Sequence, residues 1–292
     1  MVLVASFPQV SARRRSPFAI VPIYWHLLSL DAPTVAVLWA WSFTQAAQVR
    51  ASASAVAVLG IGTWLIYIAD RLLDVRPGAT RENLRERHFF HARHRRALLI
   101  GASAASVPLL WLITQMPADA RREDTFLFTL ALLYFVAVHV PPLAHIRFPR
   151  EIAVGLLFAC ACAVPAWSES PIAHAPLLAL TPLFAALCWL NCVAIHAWEG
   201  PEKPTFRISG MALSIAAASL AVMFLARLRN PGELRIATAS LASALLLFAL
   251  DRDRGRALWR ATPDDSLSTL ALRILADAAL LTPLLLLIPW RF

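Results

Sequence analysis

Charged residues are scarce in this sequence. Asp, Glu, Lys and Arg make up only 15% of its 292 residues, and its mean hydropathy is +0.63. Soluble domains carry about 25% charged residues, and a single water-soluble core stops growing at about 250–300 residues. The composition therefore excludes an ordinary soluble globular fold. Apolar residues lie in long blocks between short charged loops, which is the pattern of a chain that folds in lipid.

Cysteine and lysine are also rare. Lys203 is the single lysine among 27 cationic residues, and all four cysteines lie inside apolar blocks, at Cys160, Cys162, Cys188 and Cys192. That placement argues against a disulfide framework or a zinc ribbon and favours small buried packing residues. No A-x-A-like cleavage site follows the apolar block after Arg13, Arg14 and Arg15, so we expect a cytoplasmic anchor rather than a signal peptide.

Nine apolar blocks have, or nearly have, the ~20 residues that a membrane-spanning helix needs. They cover residues 27–49, 53–69, 97–116, 125–142, 151–168, 172–198, 207–226, 235–250 and 267–289. The sequence therefore predicts an all-α membrane protein with about nine transmembrane helices. No internal repeat or linker divides it, so residues 1–292 are expected to form a single polytopic domain with a cytoplasmic N-terminal segment, 1–26.

Cationic residues are distributed unevenly between the two sides of this predicted bundle. With the N-terminus inside, 19 of the 27 lie on the cytoplasmic side, seven lie on the opposite side, and Arg273 lies within a span. The positive-inside rule therefore predicts a cytoplasmic N-terminus in a multi-pass protein of a bacterial-type plasma or inner membrane. Topology also accounts for the net charge of +9, so no nucleic-acid partner is expected.

Asp70 and Asp74 stand at the predicted cytoplasmic end of the second block. Residues four apart share one face of a helix, with Cβ atoms about 5–6 Å apart. Two carboxylates this close repel each other, and one binds a proton unless a cation lies between them. Mg²⁺ is one such cation, because carboxylates and substrate phosphates commonly hold it together. The alternative is a solvated helix end at which both aspartates pair with nearby arginines.

The segment 70–96 is a predicted cytoplasmic loop rich in arginine and histidine. After Asp74 it contains Arg76, Arg81, Arg85, Arg87, Arg93, Arg95 and Arg96. The planar fork of arginine binds phosphate oxygens bidentately, so an acidic pair beside this loop predicts a diphosphate site. The positive-inside rule alone also accounts for most of these arginines.

The stretch Ala69-Asp70-Arg71-x-x-Asp74 resembles the first aspartate-rich motif, N-D-x-x-D-x-x-x-D, of the UbiA superfamily of intramembrane prenyltransferases. Residues 141–147, P-P-L-A-H-I-R, and 151–156, E-I-A-V-G-L, are similar to that family's Y-P-x-x-K-R segment and the span after it. Residues 189–199, W-L-N-C-V-A-I-H-A-W-E, resemble the second aspartate-rich motif, W-x-x-x-Y-D-T-x-Y-A-x-x-D. The family has nine spans with the N-terminus inside.

The sequence departs from the family pattern at several positions. Ile66 and Tyr67 replace the leading Asn and Asp of the first motif, and Asn191 stands where the second motif has an aspartate. Glu199 replaces the later aspartate, displaced by one residue, and His145 stands near the family's lysine. Three carboxylates remain, enough for one metal ion.

The resemblance implies a helical bundle around a central cavity and Mg²⁺-dependent transfer of a prenyl group from a polyprenyl diphosphate to a small lipophilic or aromatic acceptor in the membrane. It implies that Asp70, Asp74 and Glu199 bind the metal and that Asn191 completes the catalytic site. Expected substrate-binding residues are Tyr67, Arg71, Arg81, Arg85, Arg87, His145, Arg147, His196, Arg273 and Asp277. Membrane lipid is the other expected partner, and no feature specifies a protein partner.

Charged residues inside the predicted spans raise a separate question. Arg273 and Asp277 lie four apart in the ninth block, and Asp31 lies in the first. Such charges are costly in lipid, so they face a polar interior and find partners there. They either form ion pairs between helices or line the substrate cavity. Aromatic residues near the acidic motifs, Trp64, Tyr67, Trp189 and Trp198, either stabilise an allylic cation or belong to an interfacial belt.

Three other functions compete with this interpretation. His88, His91 and His94 form an H-x-x-H-x-x-H cluster, as in membrane di-iron hydroxylases, but the other five histidines are scattered. CDP-alcohol phosphotransferases use D-x-x-D-G-x-x-A-R, which is absent from the sequence. A protein that keeps the prenyltransferase scaffold and binds or transports an isoprenoid lipid without catalysis is the strongest competitor.

Overall fold

The computed structural model describes residues 17–50, 52–75, 86–139, 150–169, 171, 174–199, 207–226, 231–258 and 266–286. These residues form eleven α-helices and a short 3-10 helix. The α-helices are α1 (Pro17–Leu27), α2 (Asp31–Ala47), α3 (Ala53–Asp74), α4 (Glu86–Arg93), α5 (Arg95–Gln115), α6 (Ala118–His139), α7 (Arg150–Trp167), α8 (His174–Glu199), α9 (Ile208–Ala226), α10 (Pro231–Leu258) and α11 (Ser266–Ala279). The 3-10 helix is Thr282–Leu286.

Six of these helices, α3, α5, α7, α8, α9 and α10, are long and apolar enough to cross a membrane, and α1 with α2 makes a seventh if the pair is one broken span. Each predicted block overlaps at least one helix. However, α6 carries five charged residues between Asp119 and Asp124, and α11 has only 14 residues. The all-α class is confirmed, and the apolar helices are compatible with an integral membrane protein. The count of nine spans stays a prediction.

The main core lies where α2, α7, α8, α9 and α10 pack together. At its centre the rings of Trp39 and Phe184 stack with centroids 3.9 Å apart, and the ring of Phe43 packs edge-on against Phe184. The indole Nε1–H of Trp39 donates to the carbonyl oxygen of Leu280 at 2.9 Å. This bond fixes the segment after α11 against α2, because a buried indole N–H needs an acceptor.

A glycine allows α7 and α8 to approach closely. A Cβ atom added to Gly155 would lie 2.9 Å from both the carbonyl oxygen of Ala185 and the backbone nitrogen of Trp189. Both atoms belong to the backbone of α8, so neither can move as a side chain would. Gly155 thus sets the separation of the two helices that carry much of the cavity described below.

The chain turns by 89° between α1 and α2, within residues that the sequence pattern places at the edge of one continuous span. Ser29 has a left-handed backbone with φ of 54°, and the amide of Leu30 donates to the carbonyl oxygen of Trp25 at 3.0 Å. The indole of Trp64 on α3 donates to the carbonyl oxygen of Leu28 at 3.0 Å. These bonds satisfy backbone groups that the turn removes from helical pairing.

The predicted loop 70–96 is largely helical in its described residues. Its first residues complete α3, which ends at Asp74, and α4 occupies Glu86–Arg93 before α5 begins at Arg95. α4 packs against α1, α3 and α5. Arg76, Arg81 and Arg85 lie outside the described residues.

Candidate active site

A cavity of about 520 Å³ lies between α2, α3, α6, α7, α8 and α11, with α4 at one end. Its charged end lies where α3 and α8 finish and α7 begins, and it carries the arginines Arg71, Arg87 and Arg273 as well as carboxylates such as Glu199. Apolar side chains from the same helices, such as Leu59, Val154 and Phe158, line the rest of the wall. The cavity can therefore take a molecule with an anionic head and an apolar body.

Most of the predicted site residues in the described part of the chain line this one cavity. They are Tyr67, Asp70, Arg71, Arg87, Asn191, His196, Glu199, Arg273 and Asp277. Asp74 is not among the lining residues, although its neighbour in the first motif, Arg71, is. Arg81, Arg85, His145 and Arg147 lie outside the described residues.

The guanidinium of Arg71 lies between the two aspartates of the first motif. Its Nη1 atom is 2.9 Å from Asp70 Oδ2 and 3.7 Å from Asp74 Oδ2. Asp74 Oδ2 is also 3.3 Å from His88 Nε2 on α4. Arginine thus relieves the repulsion between the two carboxylates, which is the alternative to a bound metal ion that the sequence left open.

Glu199 is paired with two arginines from different helices. Its Oε1 atom is 2.8 Å from Arg273 Nη1 on α11 and 3.3 Å from Arg87 Nη1 on α4. All three side chains are at most 17% exposed. Burial, together with the positive charges of Arg273 and Arg71, lowers the pKa of Arg87 to about 9, and Glu199 opposes this shift. Arg87 stays protonated at neutral pH.

A polar cluster that the sequence pattern did not bring together lies beside these pairs. His26 Nδ1 on α1 is 2.8 Å from Asp31 Oδ2 on α2 and 3.6 Å from Asp277 Oδ2 on α11. The amide of Asn191 on α8 donates to Asp277 Oδ1 at 3.1 Å. The helix-start signal of Asp31 followed by Pro33 inside an apolar block could have revealed the break that places His26 here.

Arg273 and Asp277 therefore both line the cavity and pair with other helices. Neither is paired with the other in the bonds described above, despite their spacing of one helical turn. Arg273 bonds Glu199 on α8, and Asp277 bonds Asn191 on α8 and faces His26 on α1. These residues therefore both line the cavity and make polar contacts between helices, which were the two alternatives predicted from the sequence.

The three histidines of the H-x-x-H-x-x-H cluster do not share one centre. His91 is fully buried; its Nδ1–H donates to the carbonyl oxygen of Arg87 at 2.7 Å, and its Nε2 lies 3.4 Å from Ser29 Oγ. His88 faces Asp74, whereas His94 is exposed and bonds the carbonyl oxygen of Phe90. Among the described residues, the possible metal-ligand cluster is His26, Asp31 and Asp277 instead.

Burial lowers the pKa of both His88 and His91. The positive charges of Arg71 and Arg87 act in the same direction on both, and the bonds to Asp74 and to the Arg87 carbonyl oppose the shift. Both imidazoles are therefore neutral at pH 7. They attach α4 to the end of α3 and to the corner between α1 and α2.

Of the aromatic residues near the acidic motifs, Tyr67 lines the cavity. The guanidinium carbon of Arg71 lies 5.9 Å from the centre of its ring. Trp64 bonds the α1–α2 corner, and Trp198 donates from Nε1 to Asp251 Oδ1 on α10 at 3.2 Å. These tryptophans hold helices together in this structure.

Comparison with known proteins assigns no family: no protein-family model, curated protein or solved structure matches the chain.

Proposed function

We propose that this protein transfers a prenyl group from a polyprenyl diphosphate to a lipophilic or aromatic acceptor within the membrane, in the manner of UbiA-type enzymes. The observation that carries the proposal is a cavity with carboxylates and arginines at one end and an apolar wall along the rest. Its volume of about 520 Å³ lies within the range of about 300–1,000 Å³ usual for small-molecule sites.

The charged end of the cavity suits a diphosphate. Arg71, Arg87 and Arg273 all line it, and Arg71 and Arg273 are close enough to Arg87 to lower its pKa. Crowded guanidinium groups gain from an added anion, and each can bind phosphate oxygens through two parallel donors. Negative charge developing on the leaving diphosphate would be stabilised by these preorganised donors.

The donor set also suits Mg²⁺, because oxygen ligands from carboxylates are those that this ion prefers. Asp70, Asp74 and Glu199 are the residues that would hold it. In this structure they pair with arginines and do not form a cluster of metal ligands, so their carboxylates would have to converge as the ion binds. When bound, the ion would neutralise charge on the diphosphate. Arg71 contacts both aspartates, so it would turn from them toward the phosphate oxygens as the ion and the donor enter.

The apolar wall would hold the isoprenoid tail and exclude water from the reacting carbon. Tyr67 faces the cavity close to Asp70, where its ring could stabilise positive charge on the allylic group by about 0.5–2 kcal/mol. Isoprenoid donors partition into lipid, so a site within the helical bundle receives them without their crossing water.

The direct test uses the full chain purified in detergent with radiolabelled geranylgeranyl diphosphate and a panel of phenolic and quinone-like acceptors. We expect a labelled lipophilic product that requires Mg²⁺ and disappears with EDTA. Asp70→Asn should lower its rate at least about 100-fold. Asp119→Asn is the matched control, because Asp119 is exposed at the start of α6 and does not line the cavity. Unchanged rates in Asp70→Asn and Asp74→Asn would contradict the assigned roles.

One observation favours a second function, the binding or transport of an isoprenoid lipid without catalysis. Arg71 already pairs with Asp70 and Asp74, and Arg87 and Arg273 pair with Glu199. A site whose carboxylates are neutralised by arginine needs no metal to remain folded. Saturable, Mg²⁺-independent binding of geranylgeranyl diphosphate without product, in the presence of every acceptor tested, would support this second function over the first.

A further inference from the structure

The strongest unassigned feature of the molecule is the cluster of His26, Asp31 and Asp277. One nitrogen and two carboxylate oxygens from three helices lie within 4.8 Å of one another. His26 is 3% exposed and Asp31 is 7% exposed, so these are interior groups rather than surface acids. Asp31 and Asp277 also line the cavity, so the centre of the cluster is in reach of a bound molecule.

Each carboxylate of the cluster has one oxygen held by an N–H donor and the other directed at His26. Asp31 Oδ1 accepts from the amide of Ala32 at 2.9 Å, and its Oδ2 is 2.8 Å from His26 Nδ1. Asp277 Oδ1 accepts from Asn191 Nδ2 at 3.1 Å, and its Oδ2 is 3.6 Å from His26 Nδ1. Metal-binding carboxylates are commonly oriented by such bonds to their second oxygen.

A second observation points to a missing partner at the same place. Within the part of the chain that the structure describes, Asn191 Oδ1 is buried and has no hydrogen-bond partner. Asn191 is 6% exposed and lines the cavity next to Asp277. A buried amide oxygen without a donor costs about 1–3 kcal/mol, and a bound ion or its water would satisfy it.

We propose that His26 Nδ1, Asp31 Oδ2 and Asp277 Oδ2 bind a divalent transition-metal ion of the zinc class, with its remaining coordination position directed at the cavity. One imidazole nitrogen and two carboxylate oxygens are a ligand set that Zn²⁺ accepts, and three protein ligands leave a fourth position open. Mg²⁺ binds mainly oxygen, so the imidazole separates this site from the one proposed at Asp70 and Asp74.

The competing arrangement is an imidazolium that bridges the two aspartates without a metal. The cluster then has two carboxylates and one positive charge of its own. Arg273, one helical turn before Asp277, donates to Glu199, and its positive charge also acts on Asp277 and Asp31. A divalent ion at the same position would balance both carboxylates, and the site would change from an ion pair into a Lewis acid facing the cavity.

The test measures metal binding and needs no enzymatic activity. The full chain is purified in detergent, stripped with EDTA, and titrated with Zn²⁺ by calorimetry, with elemental analysis of the product. We expect about one equivalent of Zn²⁺ per chain. Asp31→Asn, which keeps the shape of the side chain, should weaken binding at least about ten-fold. His94→Gln and Asp119→Asn change exposed side chains outside the cluster and the cavity, so both should bind like the wild type.

X-ray absorption on the wild type gives a readout that does not depend on the folding of any variant. We expect nitrogen and oxygen neighbours at about 2.0–2.1 Å. A sulfur shell at about 2.3 Å would assign the ion to the cysteines and overturn the proposal. No saturable Zn²⁺ binding, or equal affinity in Asp31→Asn, would overturn it in favour of the bridging imidazolium. None of these outcomes changes the Mg²⁺ dependence expected for prenyl transfer, so the two proposals fail separately.

Discussion

At the scale of single residues, arginine pairs with the acidic side chains of the two motifs, Asp70, Asp74 and Glu199. Their spacing in the sequence predicts that Asp70 and Asp74 share a helix face and need a cation between them. The structure places Arg71 there. Spacing alone cannot choose between arginine and a metal, because a helical period fixes only which residues face the same side. The choice depends on which other helices come near.

Glu199 offers the sharpest residue-scale prediction. Glu199→Gln leaves Arg87 and Arg273 buried without their carboxylate, and removing one partner of such a pair is more costly than replacing the whole pair. We expect a loss of about 3 kcal/mol in the free energy of unfolding, measured as a lower Tm and denaturation midpoint in detergent.

Glu86→Gln is the control for this substitution, because Glu86 is exposed on α4. It should leave the Tm within about 1 °C of the wild type, as expected for a surface change. If Glu199→Gln were equally harmless, the two ion pairs would contribute nothing to the fold.

At the scale of elements, hydropathy locates the helices but misses the corner between α1 and α2. Hydropathy shows no break in the block 27–49, and the turn falls on Ser29, which is not a residue that usually adopts the left-handed region. Tertiary contacts hold that conformation, including the bond from Trp64 on α3. Asp31 followed by Pro33 signals a helix start, but the angle that brings His26 to Asp31 depends on these tertiary contacts, so the sequence pattern did not predict the His26 cluster.

The stability of α4 in its packed position should depend on pH. Burial lowers the pKa of His88 and His91 below the usual 6.5. Below pH 6.5 the two histidines therefore bind protons more readily in the unfolded chain than in the packed helix, which favours unfolding of α4. The stability of α4 is then complete above pH 6.5 and is lost as the pH falls through the lower pKa values of the folded state.

Hydrogen exchange of residues 86–93 at pH 7.5 and pH 5.0 measures this effect. We expect lower protection at pH 5.0 in the wild type, after correction for the intrinsic exchange rate. His91→Gln should remove part of the pH dependence, whereas His94→Gln should retain it, because His94 is exposed. Equal protection of α4 at both pH values contradicts the prediction.

Gly155 provides an element-scale test of the cavity wall. In Gly155→Ala the new methyl group meets the backbone of α8 at 2.9 Å, so α7 has to move away from α8. We expect a loss of about 2 kcal/mol in stability, measured by thermal unfolding in detergent. Gly210→Ala on α9 is the matched control, because its nearest neighbour is Arg207 Cβ at 3.8 Å. A Gly155→Ala variant as stable as Gly210→Ala would show that the two helices can separate freely.

At the scale of the whole molecule, the fold brings together residues that lie far apart in the sequence. Tyr67, Asp70, Asn191 and Glu199 were predicted to share a site, and they line one cavity with Asp277 from the end of the chain. For the first four, this prediction came from helical periodicity and the resemblance of two short motifs. Arg273 and Asp277 of α11 were also expected at the site, because charges inside an apolar block need polar surroundings. Which helices they pair with follows from packing, which no local pattern encodes.

The orientation of the bundle remains a prediction that labelling can test. In a background with all four cysteines replaced by alanine, cysteine is introduced at Arg93 or at Arg121, both exposed. With the N-terminus inside, a membrane-impermeant maleimide added to right-side-out vesicles should label R121C and leave R93C unlabelled until the vesicles are opened. The reverse pattern would mean that the bundle is inserted the other way.

The right angle between α1 and α2 has a consequence for how the molecule sits in a bilayer. If α2 crosses the membrane, α1 has to run along its surface, with the exposed side chains of Ile20, Val21 and Tyr24 immersed at the level of the lipid headgroups. The buried side of α1 carries His26. A change in the depth of α1 would then move His26 relative to Asp31 and Asp277. The thickness and composition of the surrounding leaflet would in this way affect the geometry of the cluster.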